Sequence, residues 1–230
     1  TVECNPGTVD KEKLLLYKMS GVNRISLGLQ SADNAELRVL GRIHTFEDFL
    51  ESYDAARKAG FENINVDLMS GIPFQTLGGW EDTIKRVAEL APEHISAYSL
   101  IIEEGTPFYE KYAVGERAEA RRRRELPDED TERLMYQFTK NILQNYGYHR
   151  YEISNYAKEG YECRHNLGYW NRTEYLGIGT GAASLINNQR FVEGGEIEVL
   201  TPQNQMEEYM FLGLRRIKGI SKADFRRTFG

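Results

Sequence analysis

Four polar residues in the first third of the chain could do chemistry together: Glu3, Gln30, Arg42 and Asp67. Glu3 and Gln30 close short apolar runs, and Asp67 lies near the end of Ile64-Asn65-Val66-Asp67-Leu68. Arg42 sits in a loop just before a helical stretch. In α/β barrels the carboxyl ends of the strands and the loops beyond them face one shared mouth. Two carboxylates, an amide and a guanidinium gathered at such a mouth suit a ligand with ribose hydroxyls, an ammonium and a carboxylate. An amino-acid nucleoside has all three. Each residue also has an ordinary use: Arg42 and Asp67 are a possible salt bridge, and Gln30 can satisfy a backbone group in a turn.

The elements that must position these residues follow from two alternating periodicities. Residues 1–5, 24–30, 63–70 and 94–101 are rich in β-branched or apolar types and bounded by turn residues, which predicts strands. Helical patterns fill the gaps. Residues 9–20 stop at Gly21, residues 45–59 open on Thr45 with Asp48 three positions on and stop at Gly60, and a third pattern covers residues 80–90. One helix between successive strands is what right-handed crossovers require, so the class is α/β with a parallel sheet, either a barrel or a doubly wound sheet. Farther on, Leu134, Phe138, Ile142 and Leu143 mark a long amphipathic helix over residues 127–146, with Gly147 after it. Residues 148–200 are rich in Tyr, Gly and Asn with short strand-like pieces, and a further helix is expected over residues 203–216. The expected organisation is a partial barrel over residues 1–112, then a linker, the long helix and a mixed α+β region over residues 113–200. Residues 201–230 complete it as a helix and the start of a truncated helical domain. Both ends read as cuts: the chain opens in a strand, and residues 221–230 resemble a helix start with nothing to pack against.

Composition narrows the function classes. With 230 residues and 40% hydrophobic types the chain can bury a core, and no apolar run is long enough to span a bilayer. A net charge of −6 gives no general attraction to nucleic acid or anionic lipid. The run Arg121 to Arg124 is no exception, because residues 116–133 hold seven acids against six arginines, a net of −1, and read as a salt-bridged surface. Two cysteines, Cys4 and Cys163, are too few for a disulfide framework or a metal cage and fit a reducing, cytoplasmic setting. Cys4 reads as a packing residue, and His44, His94 and His149 as surface or structurally satisfied histidines.

Four segments in register carry a more specific signal: Glu3-Cys4-Asn5-Pro6-Gly7-Thr8, residues 24–31 (Arg-Ile-Ser-Leu-Gly-Leu-Gln-Ser), Leu40-Gly41-Arg42, and residues 65–73 (Asn-Val-Asp-Leu-Met-Ser-Gly-Ile-Pro). In order and spacing they resemble the radical S-adenosylmethionine (SAM) family of oxygen-independent coproporphyrinogen III oxidase-like proteins. The resemblance implies a partial (β/α) barrel of radical SAM type in which Glu3, Gln30, Arg42 and Asp67 bind S-adenosylmethionine, with Arg42 suited to the methionine carboxylate. It also implies a [4Fe-4S] cluster held by C-x-x-x-C-x-x-C. That motif is absent here, and the family places it upstream of the Glu3 strand, so no metal ligand is expected in this chain.

Residues 163–171, Cys-Arg-His-Asn-Leu-Gly-Tyr-Trp-Asn, resemble the H-N-x-x-Y-W signature of the haem-chaperone (HemW-like) branch, which points away from the oxidase. The implied ligand is haem, with His165, Asn166, Tyr169 and Trp170 as its contacts and an unidentified haem-accepting protein as partner. An imidazole can ligate haem iron, and adjacent aromatic rings can cover the macrocycle. Residue types alone favour a structural reading, in which His165 and Asn166 bond backbone in an irregular loop while Tyr169 and Trp170 pack in a core, and it is the resemblance that brings haem contact level with it. Gly177-Ile178-Gly179-Thr180-Gly181-Ala182 fits the G-x-G-x-x-A dinucleotide fingerprint, which adds a nicotinamide or flavin oxidoreductase as a reading from another class. The extended pattern that follows, with Asn187-Asn188 as a turn, argues against it.

Overall fold

A computed structural model describes residues 1–230. The chain runs β1 (Val2–Cys4), α1 (Lys11–Met19), β2 (Ile25–Gln30), α2 (Asn34–Val39), α3 (Phe46–Lys58), β3 (Ile64–Ser70), α4 (Leu77–Glu89) and β4 (His94–Ser99). There follow α5 (Pro107–Tyr112), α6 (Ala118–Glu125), α7 (Glu129–Asn145), β5 (His149–Arg150) and β6 (Asn155–Ala157). The last stretch is α8 (Arg164–Trp170), β7 (Ala183–Ile186), β8 (Gln189–Val192), β9 (Glu198–Val199), α9 (Pro202–Gly213) and α10 (Lys222–Phe229).

Two compact units result. The first holds residues 1–150 and 154–161; the second holds residues 151–153 and 162–230. The division therefore falls near residue 161 and not at residue 112, because α7 packs along α4 and β6 pairs with β4. The indole nitrogen of Trp80 donates to Thr139 Oγ1 at 2.9 Å, which fastens that helix seam in the core.

The first unit is built on a six-stranded sheet of order β1-β2-β3-β4-β6-β5. Its first four strands are parallel, and β6 and β5 add antiparallel. This is the α/β parallel architecture expected from the crossover spacing, with both sheet edges open. Apolar and polar residues alternate along most of β2, β3 and β4. Ile25, Leu27, Leu29, Ile64, Val66, Leu68 and Ile95 enter the core beneath the helices. Ser26, Gly28, Asn65, Asp67, His94, Ser96 and Tyr98 occupy the intervening positions and form a polar face. Parallel sheets usually bury apolar residues on both faces, so a polar face is a functional signal.

Helix starts follow the sequence signals. Thr45 and Asp48 form a reciprocal capping box, Asp10 caps α1 and Asp128 caps α7. The short α2 was not anticipated. Its Asp33 cap and Gly41 stop are present in sequence, but six residues are too few to show a period. The helix expected over residues 80–90 starts earlier, capped by Thr76. The basic run lies within α6, where Arg123 pairs with Glu119 and Arg124 with Glu125.

In the second unit, β7 and β8 form a hairpin whose turn residues Asn187 and Asn188 both take positive φ, 49° and 58°. Residues 221–230 do have a packing partner, contrary to expectation: Phe225 and Phe229 of α10 lie against Tyr209 of α9 at ring-centroid separations of 5.8 and 5.6 Å. Residues 177–182 form a turn feeding β7, with no helix after them, so the dinucleotide reading fails on local structure. Gly177 is required for another reason: a Cβ there would collide with the backbone of Ala182 and Ala183.

Replacing Leu68, fully buried at the centre of the parallel sheet, by Ala should destabilise the first unit by about 2–5 kcal/mol. Urea unfolding checks this, with a loss below about 1 kcal/mol contradicting the assigned core.

Candidate functional site

An open cavity of about 390 Å³ lies at the carboxyl end of the parallel strands, lined by Glu3, Cys4, Asn5, Ser26, Gly28, Gln30, Arg42, Asp67 and Tyr98. All four residues singled out in the sequence reach it.

Each is aimed by a separate local device. Between Leu27 and Gln30, β2 advances three residues while β3 advances two, from Val66 to Leu68. The extra residue leaves Gln30 buried at φ 73°, a conformation that costs a non-glycine residue about 1–2 kcal/mol. Its carboxamide oxygen accepts from the Tyr98 hydroxyl at 2.8 Å. Arg42 is placed by the end of α2. Gly41 at φ 71° donates to Arg38 O, and Arg42 N donates to Leu37 O at 2.9 Å, the paired bonds of a Schellman stop. The Arg42 guanidinium then donates to Asn5 Oδ1 at 3.2 Å. Arg42 therefore follows one helix as well as preceding another, and it does not pair with Asp67. Asp67 instead accepts from Ser26 Oγ at 3.0 Å and from Asn65 Nδ2 at 2.8 Å. Glu3 stands exposed at the rim, in register with Ser26.

Sequence reasoning missed Tyr98, Asn5, Ser26 and Gly28. Alternation placed Tyr98 and Ser26 on the same face as Asp67, and that signal was available. Burial, followed by the nearby Asp67 charge, pushes the Tyr98 phenol up to about 12, so it stays protonated as a donor. Gly28 has a packing reason: a Cβ there would stand 3.2 Å from Gln30 Nε2 and 3.5 Å from Asn5 Oδ1, inside the cavity. Cys4 is buried as expected of a packing residue, and burial raises its thiol. His44 and His94 are buried structural histidines. His44 Nε2 lies 3.1 Å from Leu29 O, and His94 Nδ1 lies 2.5 Å from Asn65 Oδ1.

The other predicted residues lie on α8 of the second unit. His165 is exposed and meets Tyr169 edge-on at 4.7 Å; Tyr169 in turn meets Tyr175 edge-on, also at 4.7 Å. Trp170 lies apart from that group under the Arg215 guanidinium, 4.4 Å from its ring centroid, with its indole nitrogen buried and without a partner. Asn166 is half-buried on the same helix. The segment is a helix, not the irregular loop of the structural alternative.

Residues 1–87 match the family described as the Radical SAM superfamily. The matched stretch runs from β1 through most of α4 and contains Glu3, Gln30, Arg42 and Asp67, all of which line the cavity. The heme chaperone HemW of Bacillus subtilis is 39% identical over 246 residues, covering 100% of this chain and 63% of that protein. The heme chaperone HemW of Lactococcus lactis is 37% identical over 244 residues, covering 100% of this chain and 62% of the relative. The chain is similar to these relatives along its whole length and spans just under two thirds of theirs. The solved coproporphyrinogen III oxidase (HemN) of Escherichia coli, a radical SAM enzyme, superposes with a TM-score of 0.77 at 21% identity over 99% of this chain and 57% of the other, which is a likeness of fold.

The Radical SAM match over residues 1–87 implies S-adenosylmethionine and a [4Fe-4S] cluster. The cavity fits the first: it offers two carboxylates, an amide, a guanidinium free of acid partners and a glycine that keeps its wall open. The chain's residues do not fit the second, since Cys4 and Cys163 fall in different units and no three His, Cys, Asp or Glu side chains converge as a metal site.

Burial, followed by the Arg24 charge, drives the His94 imidazole down to about 3. Its folded-state affinity for protons is therefore below the unfolded value near 6.5, and the unfolded chain binds the extra proton as pH falls between the two. Stability should decline by about 1.4 kcal/mol per pH unit below about pH 6.5 through this residue. Urea midpoints at several pH values should show a flatter decline in His94→Gln than in the wild type, and parallel profiles would contradict the assignment.

Proposed function

We propose that the protein acts as a haem chaperone of radical SAM type, binding S-adenosylmethionine in the first unit and haem in the second. The convergence of Glu3, Gln30, Arg42 and Asp67 on one cavity carries the first part. Arg42 receives the carboxylate of the methionyl group, and Asp67 or Glu3 accepts from ribose hydroxyls. Gln30, held by Tyr98, presents its amide to the remaining polar edge. When bound beside a reduced cluster, S-adenosylmethionine supplies one-electron radical chemistry. The chain's own residues bind and orient it.

The second part is supported by the relatives named as heme chaperones and by the exposure of His165 on α8. An imidazole open to solvent, backed by Tyr169, is a suitable axial ligand for haem iron. Asn166 and Trp170 are assigned to the same contact. The haem then passes to an accepting protein. Two buried, unpaired cysteines support a reducing, cytoplasmic address, and no helix is long and apolar enough to cross a membrane. The oxidase alternative, decarboxylation of coproporphyrinogen III to protoporphyrinogen IX, has only the likeness of fold behind it. It predicts anaerobic turnover of coproporphyrinogen, whereas the chaperone reading predicts none.

Arg42→Ala should weaken S-adenosylmethionine binding by about 2–5 kcal/mol, as calorimetric titration would measure, and an unchanged Kd removes Arg42 from the site. Haemin titration followed at the Soret band should give a saturable shift that is lost in His165→Ala. Equal binding by both proteins returns α8 to a structural role.

A further inference from the structure

A connected set of hydrogen bonds runs from the cavity into the polar face of β2, β3 and β4. His94 is fully buried, and its Nδ1 stands 2.5 Å from Asn65 Oδ1. Ser96 Oγ donates to the same oxygen at 3.1 Å. On the other side of the amide, Asn65 Nδ2 donates to Ser26 Oγ at 2.7 Å and to Asp67 Oδ1 at 2.8 Å, and Ser26 Oγ donates onward to Asp67 Oδ2 at 3.0 Å. The amide thereby uses both of its protons and both of its lone pairs.

The direction of the chain follows from Asp67. A carboxylate only accepts, so the amide must turn its nitrogen towards Asp67 and its oxygen towards His94. The neutral imidazole must then carry its proton on Nδ1 to donate. The reversed amide would set its oxygen against the carboxylate and lose two bonds in a buried place.

We propose that His94 and Asn65 are positioning residues that act through Asp67, holding one neutral donor on each of its carboxylate oxygens so that the outward lone pairs accept the two hydroxyls of a vicinal diol. Neutral donors matter because an ion pair with Arg42 would occupy the side of the carboxylate that faces the cavity, while donors from below leave the charge and that side free. The ladder thus selects a ribose over a deoxyribose ligand. This rests on reading the cavity as a nucleoside site.

The test uses the whole chain with S-adenosylmethionine and its 2′,3′-dideoxyribose analogue as probes. His94→Phe should raise the Kd for S-adenosylmethionine about 10-fold by loosening Asn65 and with it the donor on Asp67 Oδ1, while His94→Gln, which keeps a donor, should recover most of the affinity. Either variant should change the Kd for the 2′,3′-dideoxy analogue by less than about 2-fold, since the coupled hydroxyls are absent. Ser26→Ala, a smaller change that removes the donor to Asp67 Oδ2, should repeat the pattern if His94→Phe folds poorly. Long-range proton–nitrogen NMR should show His94 as the Nδ1-protonated neutral tautomer, independently of any ligand. Equal losses for both probes, a Gln variant no better than Phe, or the Nε2-protonated tautomer overturns the proposal. If Arg42→Ala still weakens binding in that case, the cavity reading survives alone; if Arg42→Ala and Asp67→Asn both leave the Kd unchanged, the cavity reading falls and this proposal with it.

Discussion

The hydrogen-bond demand of a parallel sheet with one polar face governs the first unit. Helices α1, α3 and α4 supply apolar cover to the face that carries Ile25, Leu27, Ile64, Val66, Leu68 and Ile95. The opposite face places Ser26, Asn65 and His94 where water scarcely reaches them. A buried amide or imidazole without partners costs several kcal/mol, so these side chains persist there only because they satisfy one another. That mutual satisfaction makes a firm floor, and the floor sets where Asp67 and the rest of the cavity stand.

Above the floor, strain and rigidity are concentrated at the loops. Gln30 holds an unfavourable backbone conformation at the point where it meets the cavity, as functional positions often do. The loop after β3 is pinned by Gln75, whose amide oxygen accepts from Gly71 N at 2.8 Å and whose nitrogen donates to the buried Glu36 at 2.9 Å. Glu36 also accepts from Ser31 at 2.6 Å, so one carboxylate ties the start of α2 to the loop beyond β3. Burial raises its affinity for protons, and the two hydrogen bonds oppose that shift. Loops on two sides of the mouth are therefore held by the same group.

The second unit uses a different device. Glu208 of α9 is buried between Arg172 at 2.8 Å and Arg190 at 2.5 Å, and Arg172 also donates to Asn188. The short helix α8 leads directly into Arg172, so this pairing fixes its end while leaving His165 open to solvent. A fixed but accessible imidazole suits the capture and release of a cargo better than a buried one does.

The sequence by itself determined the element types and the register of chemistry within them. Period-two alternation with crossover spacing dictated a parallel sheet, threonine and aspartate caps dictated helix starts, and four polar residues at strand ends or in the adjoining loops marked the site. These signals are local, depending on backbone sterics and side chains a few positions apart. Tertiary structure alone decided that Arg42 turns to Asn5 and not to Asp67, that Tyr98 secures Gln30, and that His94 supports the carboxylate from below. It also decided that α7 belongs with the sheet and that the final helix packs on Tyr209. In each case the partner lies on an element distant in sequence, and the choice among several possible partners is settled by the geometry of packed elements, which no local pattern encodes.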